Sequence, residues 1–122
     1  MTGIDNIIYD KSYSFALRII KAYKYLIETK KDFILAKQML RSGTSIGAMV
    51  REAKFAQSRA DFINKMSIGL KEANETLYWL ELLHDADYID DASFESIHHD
   101  GEEITSILAS IVKTSKGINL NS

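Results

Sequence analysis

The fold is decided by residues 40–83, LRSGTSIGAMVREAKFAQSRADFINKMSIGLKEANETLYWLELL, in which two helical patterns are separated by a short polar turn. Apolar and small residues recur there at spacings of four and three residues, which places them on one face of an α-helix. Within this stretch they are Ser42, Ile46, Met49, Ala53 and Ala56 in one helix, whose pattern begins earlier at Leu35 and Met39, and Phe62, Met66, Gly69, Ala73, Thr76, Leu80 and Leu83 in the next. Ser58 followed by Asp61 resembles a capping box, so an antiparallel helical hairpin is predicted to turn at this point.

Similar periodicity on both sides of this hairpin predicts two further helices. Asp10 or Ser12 is the expected cap of the first helix, and Asp90 or Asp91 that of the fourth. The predicted helices cover about residues 11–31, 32–57, 59–85 and 91–116 of a single domain, 1–122. Because short connections make consecutive helices antiparallel neighbours, we expect an all-α fold, an antiparallel up-and-down four-helix bundle.

The composition of the 122-residue chain favours long helices and excludes several kinds of site. Proline is absent and only 6 glycines are present, so residues that interrupt helices are rare. Without cysteine, the chain forms no disulfide, thiolate metal site or cysteine nucleophile. No signal peptide is visible, and no apolar run approaches the roughly 20 residues that cross a bilayer. We therefore expect a cytoplasmic protein without membrane contact.

Charge is divided unevenly along the chain, although the net charge is only −2. Residues 1–65 contain 12 basic and 6 acidic side chains, whereas residues 66–122 contain 3 basic and 11 acidic ones. The first half is therefore positive and the second half negative. Opposite charges on one protomer suit a head-to-tail contact between copies of the chain.

The turn at Ser58 also predicts a polar seam along the central hairpin. It brings together residues whose numbers add to about 117, as expected for neighbouring antiparallel helices. The polar residues of this seam are Arg41, Ser45, Glu52, Lys65, Glu72 and Glu75. We predict ion pairs between Arg41 and Glu75 and between Glu52 and Lys65, with Ser45 beside Glu72.

Two sets of residues indicate close packing or contact between subunits. Gly43 and Gly47 lie on one stripe of the second helix, where another helix can approach the backbone closely. Ile68, Trp79 and Leu82 form a second stripe on the third helix, beside the one assigned to the core. This stripe is interpreted either as a subunit interface or as the edge of a wide core face with Trp79 half-buried.

A metal site is considered because the fourth helix contains Glu95-x-x-His98. A di-iron site in a helical bundle needs two such motifs and a carboxylate from each of the other two helices, and only one motif is present here. His98 and its neighbour His99 diverge by about 100° on a helix. The sequence also has no nucleophile elbow and no Gly-rich phosphate loop. We therefore expect no metal, no cofactor and no enzymatic activity.

The segments LRSGTSIGAMVREA and ADFINKMSIGLKEANETLYWLELL resemble the bacterial four-helix-bundle family encoded by intervening sequences inside 23S ribosomal RNA genes. The resemblance extends more loosely through YSFALRIIKAYKYL. The same broad family contains the accessory variability determinant proteins of diversity-generating retroelements. By that analogy, the resemblance implies a homopentameric ring whose basic surface engages nucleic acid and a reverse transcriptase. It supplies no catalytic residues.

Two functional hypotheses follow from the charge pattern and the resemblance. The first is a non-enzymatic homo-oligomer that assembles through complementary charged faces. The alternative is an accessory protein that binds RNA or DNA through basic and aromatic residues of the first two helices. The candidate nucleic-acid-binding residues are Arg18, Lys21, Lys24, Tyr25, Lys31, Lys37, Arg51, Lys54 and Arg59.

Overall fold

The computed structural model describes the backbone of residues 3–120 and the side chains of residues 6–117. Its helices are α1 (Gly3–Tyr25), which continues into a π-helical turn (Leu26–Lys30), α2 (Ile34–Lys54), α3 (Arg59–Asp85) and α4 (Asp91–Leu120). Each helix packs against the next one in the chain, and α1 also packs against α4. The described part of the chain contains no β-strand. The predicted all-α four-helix bundle is confirmed.

The first helix begins earlier than the sequence pattern indicated. It starts at Gly3, so Asp10 and Ser12 lie inside the helix and neither caps it. Ser12 is buried, and its hydroxyl donates a hydrogen bond to the carbonyl oxygen of Tyr9. The added turns bring the fully buried Ile8 into the core. Burial of this side chain explains the longer helix, since packing of an apolar face stabilises helices more than propensity does.

The break between α1 and α2 falls at the boundary predicted near residues 31 and 32, but its local structure was not predicted. The π-helical turn ends at Lys31, which has the left-handed backbone conformation typical of a helix C-terminus (φ 59°). Asp32 Oδ1 then accepts hydrogen bonds from the N–H groups of Ile34 and Leu35, both at 3.0 Å. Asp therefore acts here as the cap of α2, and the helix begins two residues later than predicted.

The other two connections agree more closely with prediction. Ser58 Oγ accepts from the N–H of Asp61 at 3.0 Å, and Asp61 Oδ2 accepts from the N–H of Gln57 at 3.3 Å, which confirms the cap of α3. The turn is longer than expected, because α2 ends at Lys54. Asp90 Oδ1 accepts from the N–H of Ser93, so Asp90 caps α4 as predicted. The fourth helix continues past residue 116 to Leu120.

Glycine allows α1 to approach α2 closely. A Cβ atom on Gly43 would lie 2.8 Å from Cγ1 of Ile19, a fully buried side chain of α1. At Gly47 the nearest atom to such a Cβ is the carbonyl oxygen of Ser12, at 3.4 Å. The close packing predicted for these two glycines is thus made with α1 of the same chain, and it offsets the cost of about 1 kcal/mol that each glycine carries in a helix.

Candidate functional site

The polar seam lies between α2 and α3, where the hairpin register predicted it. Arg41 pairs with Glu75 and, at 3.2 Å, with Glu72, while Lys65 pairs with Glu52 at 3.3 Å. Both predicted ion pairs are confirmed. The Arg41 side chain is 50% exposed, so water screens this pair and its contribution to stability is small.

Hydroxyl and indole groups extend the same seam. Thr76 Oγ1 lies 3.0 Å from Ser42 Oγ in the buried interior, which joins the two polar members of the core stripes. Trp79 is half-buried against the core, and its Nε1–H donates to Glu75 Oε2 at 3.0 Å. Ser45 donates to the carbonyl oxygen of Arg41 in its own helix. The seam therefore joins the two helices of the hairpin through ion pairs, a hydroxyl pair and an indole hydrogen bond.

A second pair of ionic contacts closes the bundle between α1 and α4. Lys11 pairs with Glu103 at 2.7 Å. Arg18 pairs with Asp100 at 2.6 Å and also donates to the hydroxyl of Ser96 at 3.0 Å. These contacts were not predicted, because no turn joins α1 to α4 and the sequence provides no register between them. They engage part of the positive first half with the negative second half inside one protomer.

The outer surface of α1 and α2 carries an exposed apolar stripe. Tyr13, Leu17 and Ile20 recur at helical spacing on α1 and are 57%, 50% and 36% exposed. Beside them runs a groove of about 390 Å³ between α1 and α2, whose floor includes Gly47 and Ala48. We call this surface the α1–α2 face. Large apolar side chains grouped on one exposed face are typical of a contact surface.

The candidate nucleic-acid-binding residues do not form one continuous patch. Arg18 is engaged by Asp100, and Arg59 donates to the carbonyl oxygen of Ser115. The exposed lysines Lys21, Lys24, Lys31 and Lys37 lie toward the α1–α2 turn, as does Tyr25. Arg51 and Lys54 lie at the opposite end of α2, and the 17 residues between Lys37 and Lys54 span about 25 Å of helix.

Basic and aromatic side chains meet at that opposite end. The Lys54 ammonium lies 4.6 Å from the centre of the Tyr9 ring, and the Arg51 guanidinium lies 5.3 Å from it. Phe55, just beyond α2, is 72% exposed and lies 5.8 Å from the same ammonium. We call Tyr9, Arg51, Lys54 and Phe55 the aromatic-basic cluster. Arg51 and Lys54 were predicted as site residues, but Phe55 was not, and Tyr9 was not because α1 was predicted to begin after it.

The second candidate stripe, on α3, is only partly open to solvent. Ile68 is 36% exposed, while Trp79 and Leu82 are half-buried. Tyr78, at 54% exposure, is the largest exposed apolar surface beside them, and its ring meets Trp79 edge to face at 5.0 Å. Gly43 is buried inside the chain against α1.

Acidic and histidine side chains collect on the outer side of α3 and α4. His84 lies between Asp85 and Asp91, and His98 lies 2.8 Å from Glu81. An open cavity of about 600 Å³ next to His84 is lined by four aspartates, Asp85, Asp87, Asp90 and Asp91. We call this acidic side the α3–α4 face. The outer sides of α3 and α4 lie across the bundle from those of α1 and α2, because each helix packs on its two neighbours. The cavity itself lies at one end of the bundle, where Tyr25 and Lys30 from the end of α1 also line it.

Residues 4–110 match the family model described as the 23S rRNA-intervening sequence protein. The match spans most of the chain, including α1 to α3 and most of α4. The chain belongs to this family. The membership agrees with the resemblance carried by residues 40–83.

A solved structure is similar to this chain in both sequence and fold. It is the crystal structure of a protein of unknown function from the S23 ribosomal protein family of Bacteroides thetaiotaomicron. The two chains are 58% identical, with 90% of this chain and 98% of the other covered, and the TM-score is 0.89. The comparison with curated proteins gives no match.

Among the described residues of this family member, no group of three or more His, Asp or Glu side chains is arranged to hold a metal ion. Within the same part of the chain, every helix is too short or too polar to cross a lipid bilayer.

Proposed function

We propose that this chain is a non-enzymatic subunit of a homo-oligomer whose copies join head to tail, the α1–α2 face of one against the α3–α4 face of the next. The observation that carries this proposal is the exposed stripe of Tyr13, Leu17 and Ile20 on α1. Burial of such an apolar stripe against another protein surface is favourable, and a second copy of the chain supplies that surface.

Charge and topology support the same arrangement. Lysines Lys21, Lys24 and Lys37 border the apolar stripe, and acidic groups dominate the opposite side of the bundle. Because the two faces lie on opposite sides, each copy offers both halves of the contact, and a repeated contact closes into a ring when the rotation permits. The resemblance to retroelement accessory proteins favours five copies. Complementary charge also makes assembly sensitive to salt.

Light scattering coupled to size-exclusion chromatography tests the assembly. The wild-type chain is expected at a multiple of the protomer mass, five by the family analogy. Leu17→Glu places a charge in the apolar stripe, so it is expected to give a folded monomer with an unchanged circular dichroism spectrum.

Ile34→Glu is the matched control, because Ile34 is 79% exposed at the start of α2 and lies outside the groove. It is expected to keep the wild-type mass. A wild-type monomer at high concentration, or equal effects of the two variants, contradicts the proposal.

A second candidate function, binding of single-stranded RNA or DNA, is favoured by the aromatic-basic cluster. Lys54 and Arg51 provide charges for phosphates, and the exposed Phe55 ring provides a surface on which a base can stack. Such stacking contributes about 1–3 kcal/mol per base, and binding that depends on phosphate contacts weakens steeply with salt.

Fluorescence anisotropy with labelled single- and double-stranded RNA and DNA at low salt tests this function. Lys54→Glu and Phe55→Ala are expected to reduce binding of single strands, whereas Lys71→Glu, an exposed control on α3, loses less. If micromolar wild-type protein binds none of the four probes, the nucleic-acid function is rejected, and the oligomer proposal is unaffected.

A further inference from the structure

His84 links the last turn of α3 to the first residue of α4. Its Nε2 atom lies 2.7 Å from Asp91 Oδ1, and its Nδ1 atom lies 3.0 Å from Asp85 Oδ1. A neutral imidazole has one N–H group and so donates to only one of these carboxylates, whereas the imidazolium donates to both. The geometry therefore fits the charged form of His84.

Aromatic stacking places the same ring in a defined position. The His84 ring stacks on Phe94 with centroids 4.2 Å apart and planes inclined by 22°. The other partner of Phe94 is His98, at 4.8 Å, which in turn lies 2.8 Å from Glu81. A cation over an aromatic face is favourable, so the stack also fits a protonated His84.

The turn bridged by His84 contains a backbone conformation that needs support. Asp87 has φ 67°, in the left-handed region, which costs a non-glycine residue of this kind about 1 kcal/mol. Backbone bonds hold both sides of it, from the N–H of Asp87 to the carbonyl of His84 and from the N–H of Tyr88 to that of Leu83. The side-chain bridge from His84 to Asp91 spans the whole turn.

Most titratable groups around His84 favour its charged form. The carboxylates among them favour it, whereas Lys30 opposes it. The set consists of Asp85, Asp87, Tyr88 and Asp90 from α3 and the turn, Asp91, Glu95 and His98 from α4, and Tyr25 and Lys30 from the end of α1. Hydrogen bonds to Asp91 and Asp85 raise the pKa of His84 above its ordinary value, against a smaller lowering by burial. Lys30 is the basic group lining the adjacent cavity.

We propose that His84 is a proton-dependent clasp, which ties α3 to the start of α4 in its imidazolium form and releases the turn over residues 86–90 when it loses its proton. The contacts of this device all lie within one protomer and involve no nucleic acid. They lie on the α3–α4 face, which the proposed oligomer would bring against a neighbouring copy.

The direction of the pH dependence follows from the raised pKa. The stabilisation is fully present below the unfolded pKa of histidine, about 6.5, and it is lost as the pH rises through the higher folded value. The turn is therefore expected to be ordered at mildly acidic pH and loosened at alkaline pH.

Nuclear magnetic resonance of the histidine rings, combined with hydrogen exchange, tests the clasp in the full-length wild-type chain. We expect the His84 titration midpoint to lie above the ordinary histidine value of about 6.5, and Asp91→Asn to lower it. After correction for intrinsic rates, amide exchange over residues 86–93 is expected to be faster at pH 8.5 than at pH 5.5, with little change in the middle of α2.

Asp91→Asn and His84→Gln are each expected to abolish the pH dependence of exchange in the turn, while His99→Gln leaves it intact. Asp91→Asn retains a hydrogen-bonding side chain and the wild-type histidine, so the test survives if His84→Gln fails to fold. A His84 midpoint at or below about 6.5, or turn exchange with the same corrected rate at both pH values, overturns the proposal.

Discussion

The seam between α2 and α3 and the seam between α1 and α4 are both built from ion pairs, but they differ in how the paired residues are connected along the chain. In the α2–α3 seam, Arg41 and Glu75 are brought together by a short turn capped by Ser58. In the α1–α4 seam, Arg18 and Asp100 are 82 residues apart and no turn connects their helices. The same kind of ion pair is thus local in one case and a product of bundle closure in the other.

The difference teaches that register, more than residue type, makes a contact predictable. Once a turn is located, every pair across the hairpin follows from it. For α1 and α4, the register depends on how Phe15 packs near Gly101 and on where the bundle closes. Substitutions that separate packing from charge in the two kinds of seam test this view. Each is compared with the wild type at one protein concentration, since assembly adds to apparent stability.

The largest expected effect is that of Phe15→Ala in the α1–α4 seam. Phe15 is 2% exposed, so its truncation removes buried apolar surface and leaves a cavity beside Gly101. A loss of about 3–5 kcal/mol in the free energy of unfolding is expected from urea denaturation. A loss below about 1 kcal/mol would show that α1 is only loosely packed and would break the comparison.

Gly43→Ala is expected to have the next largest effect. The added methyl group meets the buried, branched Ile19 at 2.8 Å, and the overlap outweighs the gain in helix propensity, for a net loss of about 1–2 kcal/mol. Gly69→Ala in the α2–α3 seam is the matched control. Its Cβ lies 3.5 Å from Met49, so it is expected to gain about 0.5–1 kcal/mol. Urea denaturation of both variants measures the sign of the change in unfolding free energy. A change in the same direction for both would contradict the inference that α1 approaches α2 at Gly43 more closely than α2 approaches α3 at Gly69.

Ser58→Ala tests the turn that sets the register of the α2–α3 seam. It removes the acceptor of the Asp61 N–H, and a loss of about 1 kcal/mol in thermal or urea unfolding is expected. Ser58→Asp retains an acceptor and is expected to lose little. Similar losses in both variants would mean that the cap does not hold this turn.

The smallest expected effects are those of Arg41→Met and Arg18→Met. Both arginines are well exposed, at 50% and 39%, so each pair contributes about 0.2–1 kcal/mol. Arg41→Met is expected to cost more, because it leaves Glu72 and Glu75 close together without a cation. Double-mutant cycles with Glu75→Gln and Asp100→Asn measure the two coupling energies. The reverse order would mean that bundle closure, rather than the hairpin, depends on charge.

Much of the fold and one part of the candidate surface could be predicted from sequence. The α3 cap at Ser58, the Arg41–Glu75 and Glu52–Lys65 pairs and the start of α4 at Asp91 are local consequences of capping and of hairpin register. The contact of Lys54 with Tyr9 was not predictable, because it depends on α1 extending back over α2. The α1–α2 boundary was predicted near residues 31 and 32, but the π-helical turn and the start of α2 at Ile34 were not, because no glycine or proline marks the turn that Asp32 caps.

What the sequence determined by itself is the set of helices, their antiparallel order and the division of charge between the two halves of the chain. These properties depend on periodicity and capping, which involve residues close together in the sequence, and on composition, which is a property of the sequence alone. The tertiary structure decided which charged side chains form ion pairs within the protomer, as Arg18 does with Asp100, and which apolar residues, such as Leu17, stay exposed. It also brought His84 between two carboxylates. Those outcomes depend on the rotation and offset of each helix against its neighbours, which only packing of the whole bundle sets.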